Sequence, residues 1–89
     1  MEFENCESYK YIRLSTNEFR FVKCMMLCLR HKDLVKENET AISAGMIGMF
    51  KKKFVFVDRG SMSLQIYSSQ PDDVLFLEKI TGRKYSHND

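Results

Sequence analysis

Residues 53–67 leave this chain the least choice of structure. Phe54-Val55-Phe56-Val57 is an unbroken run of aromatic and β-branched side chains, and Met62-Ser63-Leu64-Gln65-Ile66-Tyr67 alternates apolar and polar ones. Between them Asp58-Arg59-Gly60-Ser61 has the composition of a reverse turn, with Gly60 able to take a positive φ. The pattern predicts a β-hairpin. Its second strand would turn Met62, Leu64 and Ile66 to one side and Ser63, Gln65 and Tyr67 to the other. An isolated hairpin is marginal in water, so the rest of the chain must cover it.

A further strand is expected over 9–14 (Y-K-Y-I-R-L), with Ile12 and Leu14 on one face and Tyr9, Tyr11 and Arg13 on the other. Ser15-Thr16-Asn17-Glu18 then has the S-x-x-E form of a capping box, whose hydroxyl and carboxylate satisfy backbone N–H groups at a helix start. A helix is expected over 17–31, burying Phe21, Val22, Met25, Met26, Cys28 and Leu29. Arg20, Lys23, Arg30 and His31 would fall on its other side. A second helix is expected over 40–51, capped by Asn38 or Thr40, where Ala41, Ala44, Gly45 and Gly48 form one stripe of small residues. Each glycine weakens a helix by about 1 kcal/mol relative to alanine, so close packing would have to compensate. A third helix is expected over 71–81. Pro71 suits its first turn, Asp72 and Asp73 complement its dipole, and Gly82 ends it, with Val74, Leu75, Leu77 and Ile80 against the sheet.

The resulting order, β-α-α-β-β-α, describes an α+β domain: a small three-stranded antiparallel sheet packed against two or three helices. Eighty-nine residues suit a single domain, with 1–7 and 84–89 set aside as frayed ends. Helix, polar turn, helix and hairpin also resembles the order of winged-helix domains. That resemblance implies 40–51 as a recognition helix and Arg59 at a wing tip, although the helix offers only Ser43 and Lys51 for reading bases.

No apolar run approaches the ~20 residues a bilayer requires, and the acidic start Met1-Glu2-Phe3-Glu4-Asn5-Cys6-Glu7 lacks the layout of a signal peptide. With three cysteines, an odd count, the expectation is reduced thiols, a cytoplasmic location and no membrane partner. Catalysis finds little support. His31 and His87 are the two histidines, and neither a nucleophile elbow nor a phosphate-cradling glycine loop is present. Gly45-Met46-Ile47-Gly48 matches a KH-type RNA-binding loop only as a string. Cys24, Cys28 and His31, at i, i+4 and i+7 of the expected helix, could hold zinc with Cys6. Free cysteines more often act as small buried hydrophobes, so no metal, cofactor or enzymatic activity is expected.

Charge points further. The net charge is +2, but setting aside Glu2, Glu4, Glu7 and Asp89 leaves 14 basic and 8 acidic residues between Ser8 and Lys84, a net +6. Lys51-Lys52-Lys53 is the densest cluster, with Arg59 beyond it; Arg20, Lys23 and Arg30 form an acid-free helix face; Tyr9 and Tyr11 interleave with Lys10 and Arg13. Lysines at a helix end or a strand edge also have a purely structural use. Cations neutralise phosphates, however, and exposed rings stack on unpaired bases. The expectation is a small non-enzymatic nucleic-acid-binding protein favouring RNA or single-stranded DNA. Its site would be Lys51, Lys52, Lys53, Arg59, Arg20, Lys23, Arg30, Tyr9, Tyr11 and Arg13, with Tyr67 as a further ring. The alternative is a protein-binding modulator or inhibitor, antitoxin-like or a phage or viral accessory protein. It would work through the hairpin or the small-residue helix, a surface that also suits a homodimer.

Overall fold

A computed structural model describes residues 3–24, 30–59, 64, 66 and 70–86. In chain order they form β1 (Ser8–Leu14), β2 (Phe19–Lys23), a single 3-10 turn (His31–Leu34), β3 (Ala41–Met49), β4 (Lys53–Arg59), α1 (Asp73–Thr81) and β5 (Lys84–Tyr85). The strands make one sheet in the order β2-β1-β3-β4-β5, antiparallel except for β5, which runs parallel to β4. A five-stranded mixed sheet with one helix therefore replaces the expected three-stranded antiparallel sheet with two or three helices. The winged-helix order falls with it, because strands stand where its two helices were expected.

The first of those expectations fails at Ser15-Thr16-Asn17-Glu18, which turns a hairpin and caps nothing. The Leu14 N–H donates to the Glu18 carbonyl at 2.8 Å and the Asn17 N–H to the Leu14 carbonyl at 2.8 Å. Asn17 takes φ +70°. That is the left-handed position closing a three-residue hairpin loop, and asparagine tolerates it better than most residues. Phe19-Arg20-Phe21-Val22-Lys23 then alternates across β2; residues 25–29 of the expected helix lie outside the described residues.

The expected small-residue helix is β3, the middle strand. In a strand the three-and-four spacing dissolves. Ser43, Ile47 and Met49 share one face and Ala44 lies on the other, all four buried. The chain then reverses at Lys51-Lys52, with the Phe50 N–H on the Lys53 carbonyl at 2.8 Å. The strand expected over 54–57 is present, continues through Asp58 and Arg59, and forms a hairpin with β3. Leu64 and Ile66 are half-buried; Gly60, Ser61, Met62, Ser63, Gln65 and Tyr67 lie outside the described residues.

Both faces of the sheet are covered. On one, Tyr9, Tyr11, Ile47, Met49 and Phe54 pack with Leu77 of α1, flanked by Phe3, Phe19, Phe21, Val74 and Tyr85. On the other, Ile12, Leu14 and Ala44 pack against Leu34, Val35, Leu64 and Ile66. Within the stretches set aside as frayed, the Cys6 N–H bonds the Met49 carbonyl and the Ser86 N–H the Phe54 carbonyl, each at 2.8 Å.

The third helix is where it was expected. Val74 and Leu77 face the sheet, whereas Leu75 and Ile80, assigned to the same packing, are exposed. Gly82 ends the helix at φ +69°, its N–H on the Glu78 carbonyl at 3.0 Å. A Cβ there would meet nothing within 4 Å. Gly82→Ala is therefore expected to lose about 1 kcal/mol from left-handed backbone strain alone, readable as a lower urea midpoint at unchanged m-value. No helix among the described residues is long and apolar enough to cross a membrane.

Candidate nucleic-acid interface

Six of the residues assigned to binding from sequence have other engagements. Tyr9 and Tyr11 lie in the core under α1, fully covered, so neither ring can stack on a base. The Tyr9 hydroxyl accepts the Glu4 N–H at 2.9 Å, and the Tyr11 hydroxyl donates to Asp73 Oδ2 at 2.7 Å. Their face was taken for the solvent side because β1 alternates. A strand covered on both faces buries both sets of side chains.

Arg13 shares that face and is also buried. Its Nη1 donates to Asp72 Oδ1 at 2.6 Å and Asp73 Oδ1 at 3.0 Å, and its Nε and Nη2 donate to Asn17 Oδ1 at 3.1 and 2.8 Å. The guanidinium carbon lies 4.4 Å from the centre of the Phe76 ring. Ser43 completes the cluster, donating its hydroxyl to Asp73 Oδ2 and accepting the Gln70 N–H. Asp72 and Asp73, expected only to complement the helix dipole, are what hold this buried cation.

Arg20 makes a bidentate pair with Glu39, its Nη1 and Nη2 at 2.5 and 2.6 Å from the two carboxylate oxygens, and also bonds Glu18 at 2.8 Å. Lys23 bonds Glu4 at 2.7 Å. Arg30 lies 3.6 Å from Asp33. The acid-free face existed only on the expected helix. In the hairpin, acids from the N-terminal segment and from 33–39 come to these cations. Each loses most of its value to a polyanion.

These pairs set an acid dependence. Arg20, with help from the Lys36 N–H, holds the Glu39 carboxyl at about 2 against an ordinary 4.5. The Arg13 guanidinium likewise holds Asp72 below the usual carboxylate range, and the Arg30 N–H does so for Asp33. Because the folded-state values are depressed, the stabilisation is complete above the unfolded value and is lost as pH falls through the folded one. Thermal midpoints are expected to drop between about pH 4.5 and 2, and Glu39→Gln to flatten part of that decline.

A different set of cations remains. Lys51, Lys52 and Lys53 are exposed at the β3–β4 turn, and among the described residues none of them forms an ion pair. Parallel pairing of β5 with β4 brings Lys84 directly beside Lys53, its N–H on the Lys52 carbonyl at 2.9 Å. Arg83 reaches across the same end with two donors on carbonyls, Phe50 at 2.7 Å and Phe3 at 2.8 Å, and forms no ion pair among the described residues. Phe50 is 48% exposed in the midst of them. A shallow depression of about 510 Å³ is lined by Phe50, the three lysines and Cys6. The carboxylate of Glu78 is occupied nearby by the Tyr85 N–H at 3.2 Å.

Sequence reasoning found the three lysines and missed Phe50, Arg83 and Lys84. Arg83 was left unassigned and Lys84 was set among frayed residues. The available signal was the Arg-Lys-Tyr triplet immediately after a helix stop. Arg59 ends β4 opposite Gly45. Of the zinc candidates, His31 is buried with its Nε2 donating to the Gly45 carbonyl at 2.8 Å, and burial pushes the half-covered Cys24 thiol up; Cys28 lies outside the described residues.

The chain matches no protein-family model, no curated protein and no solved structure.

Proposed function

We propose that this chain binds single-stranded nucleic acid, without catalysis, at the sheet end formed by the β3–β4 turn and β5. What supports the reading is one juxtaposition: Lys51, Lys52 and Lys53, in no ion pair among the described residues, line one depression with the exposed Phe50 ring, while Arg83 and Lys84 add charge at the same sheet end. Lysine ammonium groups on exposed stems neutralise successive phosphates, and Phe50 offers the π-face on which an unpaired base stacks. A duplex buries its bases and would leave the ring unused, so RNA or DNA in single-stranded form is favoured. Among the described residues the patch has no planar array of amide or carboxylate side chains to read base edges, so sequence preference is weak.

The test is a titration of fluorescently labelled single-stranded RNA at several salt concentrations. Neutralising three to five phosphates gives a log–log salt slope of roughly −2 to −3.5. Phe50→Ala is expected to weaken binding by about 1–3 kcal/mol without changing that slope, because stacking releases no counterions. A flat salt response, or tighter binding to duplex than to single strand, rejects the reading.

A further inference from the structure

We infer that β2 is a dimerisation edge, at which a second copy of this chain adds its own β2 antiparallel to extend the sheet. The inference is independent of nucleic-acid binding and concerns the opposite edge of the sheet. Hydrogen bonding between β1 and β2 is fixed at both ends, by the Leu14 N–H on the Glu18 carbonyl and the Cys24 N–H on the Ser8 carbonyl. Alternation along an antiparallel ladder then directs the backbone groups of Arg20 and Val22 toward β1 and those of Phe19, Phe21 and Lys23 outward. None of these outward groups has a partner among the described residues. Beside them lies an apolar depression of about 480 Å³ lined by Phe3, Phe19, Phe21, Leu34, Arg20 and the exposed Ile80. Native sheets seldom leave such an edge without protection.

The side chains select the occupant. Arg20 and Lys23, the cations on this edge, already hold Glu39, Glu18 and Glu4, so none is left over to recruit an acidic peptide. A second β2 complements the first. One antiparallel register uses the outward groups of all three residues, placing Phe21 opposite its own copy and Phe19 opposite Lys23. In that register Arg20 faces Val22 of the second copy on the other side of the sheet. No like charges meet, aromatic rings meet at the two-fold axis, and each Lys23 ammonium lies beside a Phe19 ring. The arrangement is isologous and closes at two copies, giving one continuous ten-stranded sheet from two five-stranded ones.

Val22 supplies a clean test because it belongs to neither core cluster. Val22→Lys sets a lysine against Arg20 twice across the seam, and Val22→Glu sets a carboxylate there instead. Light scattering after size exclusion, over roughly 10 µM to 1 mM protein, is expected to show a dimer for the unaltered chain and for Val22→Glu. For Val22→Lys the dimer is expected to weaken roughly tenfold or more at an unchanged circular dichroism spectrum. A chain that stays monomeric across that range overturns the inference, including the case in which the edge serves a foreign peptide. So does a dimer indifferent to both substitutions, which would use another surface.

Discussion

Replacing Asp73 by alanine is expected to lower folding stability by about 3–5 kcal/mol, most of the margin a domain of this size possesses. Asp73 is fully buried and accepts from three side chains: Tyr11, Ser43 and Arg13. Truncation leaves two hydroxyls and part of a guanidinium without acceptors in a region closed to water. The loss is therefore an uncompensated desolvation as well as a missing attraction. Asp72 provides the comparison. It binds the same arginine, but its side chain is 51% exposed, so water can replace it and Asp72→Ala is expected to matter far less. Urea unfolding followed by circular dichroism separates the two. Equal losses would mean that the arginine cluster behaves as a surface pair.

Changing Lys51, Lys52 and Lys53 together to glutamine is expected to have the largest functional effect. Three phosphate contacts account for about two units of the log–log salt slope, so their removal should flatten the slope by that amount. At about 50 mM salt this corresponds to an affinity loss of roughly 100-fold or more, narrowing toward high salt. All three side chains are exposed and form no ion pair among the described residues, so the thermal midpoint should hold. Retained affinity at an unchanged midpoint would remove the patch from consideration. Arg83 and Lys84 allow a graded version, since they carry charge at the same end, Lys84 in β5 and Arg83 in the link from α1.

Local signals were legible where one interpretation was available. Gly82 marked the end of α1, β1 read as a strand, and the lysine run was visible as a cluster. Two helices were misread because their signals serve strands equally well. Ser15-Thr16-Asn17-Glu18 satisfies a capping box as text, while Asn17 at positive φ makes it a turn. Phe19-Arg20-Phe21 carries the period of two that the helical reading passed over. Ala44, Gly45 and Gly48 form a stripe only if a helix is assumed; between two neighbouring strands they are simply small. The weak helix propensity of those glycines was itself a warning. The assigned site failed for a related reason. Whether a cation is free depends on which acids fold against it, and Glu39 reaches Arg20 only through the loop after the 3-10 turn. Burial of Tyr9 and Tyr11 needed knowledge of a second covering layer, which no single-strand pattern carries.

The buried Arg13 cluster also ties together segments far apart in the chain. The β1–β2 hairpin is complete once residue 24 has been added, yet the guanidinium it carries finds its fully buried partner only when residue 73 arrives. Within the hairpin that guanidinium has only the Asn17 amide oxygen, and its carboxylate partners come from α1 and the residue before it. The hairpin, β3 and α1 are thereby expected to unfold together in one cooperative transition rather than as separate stable fragments.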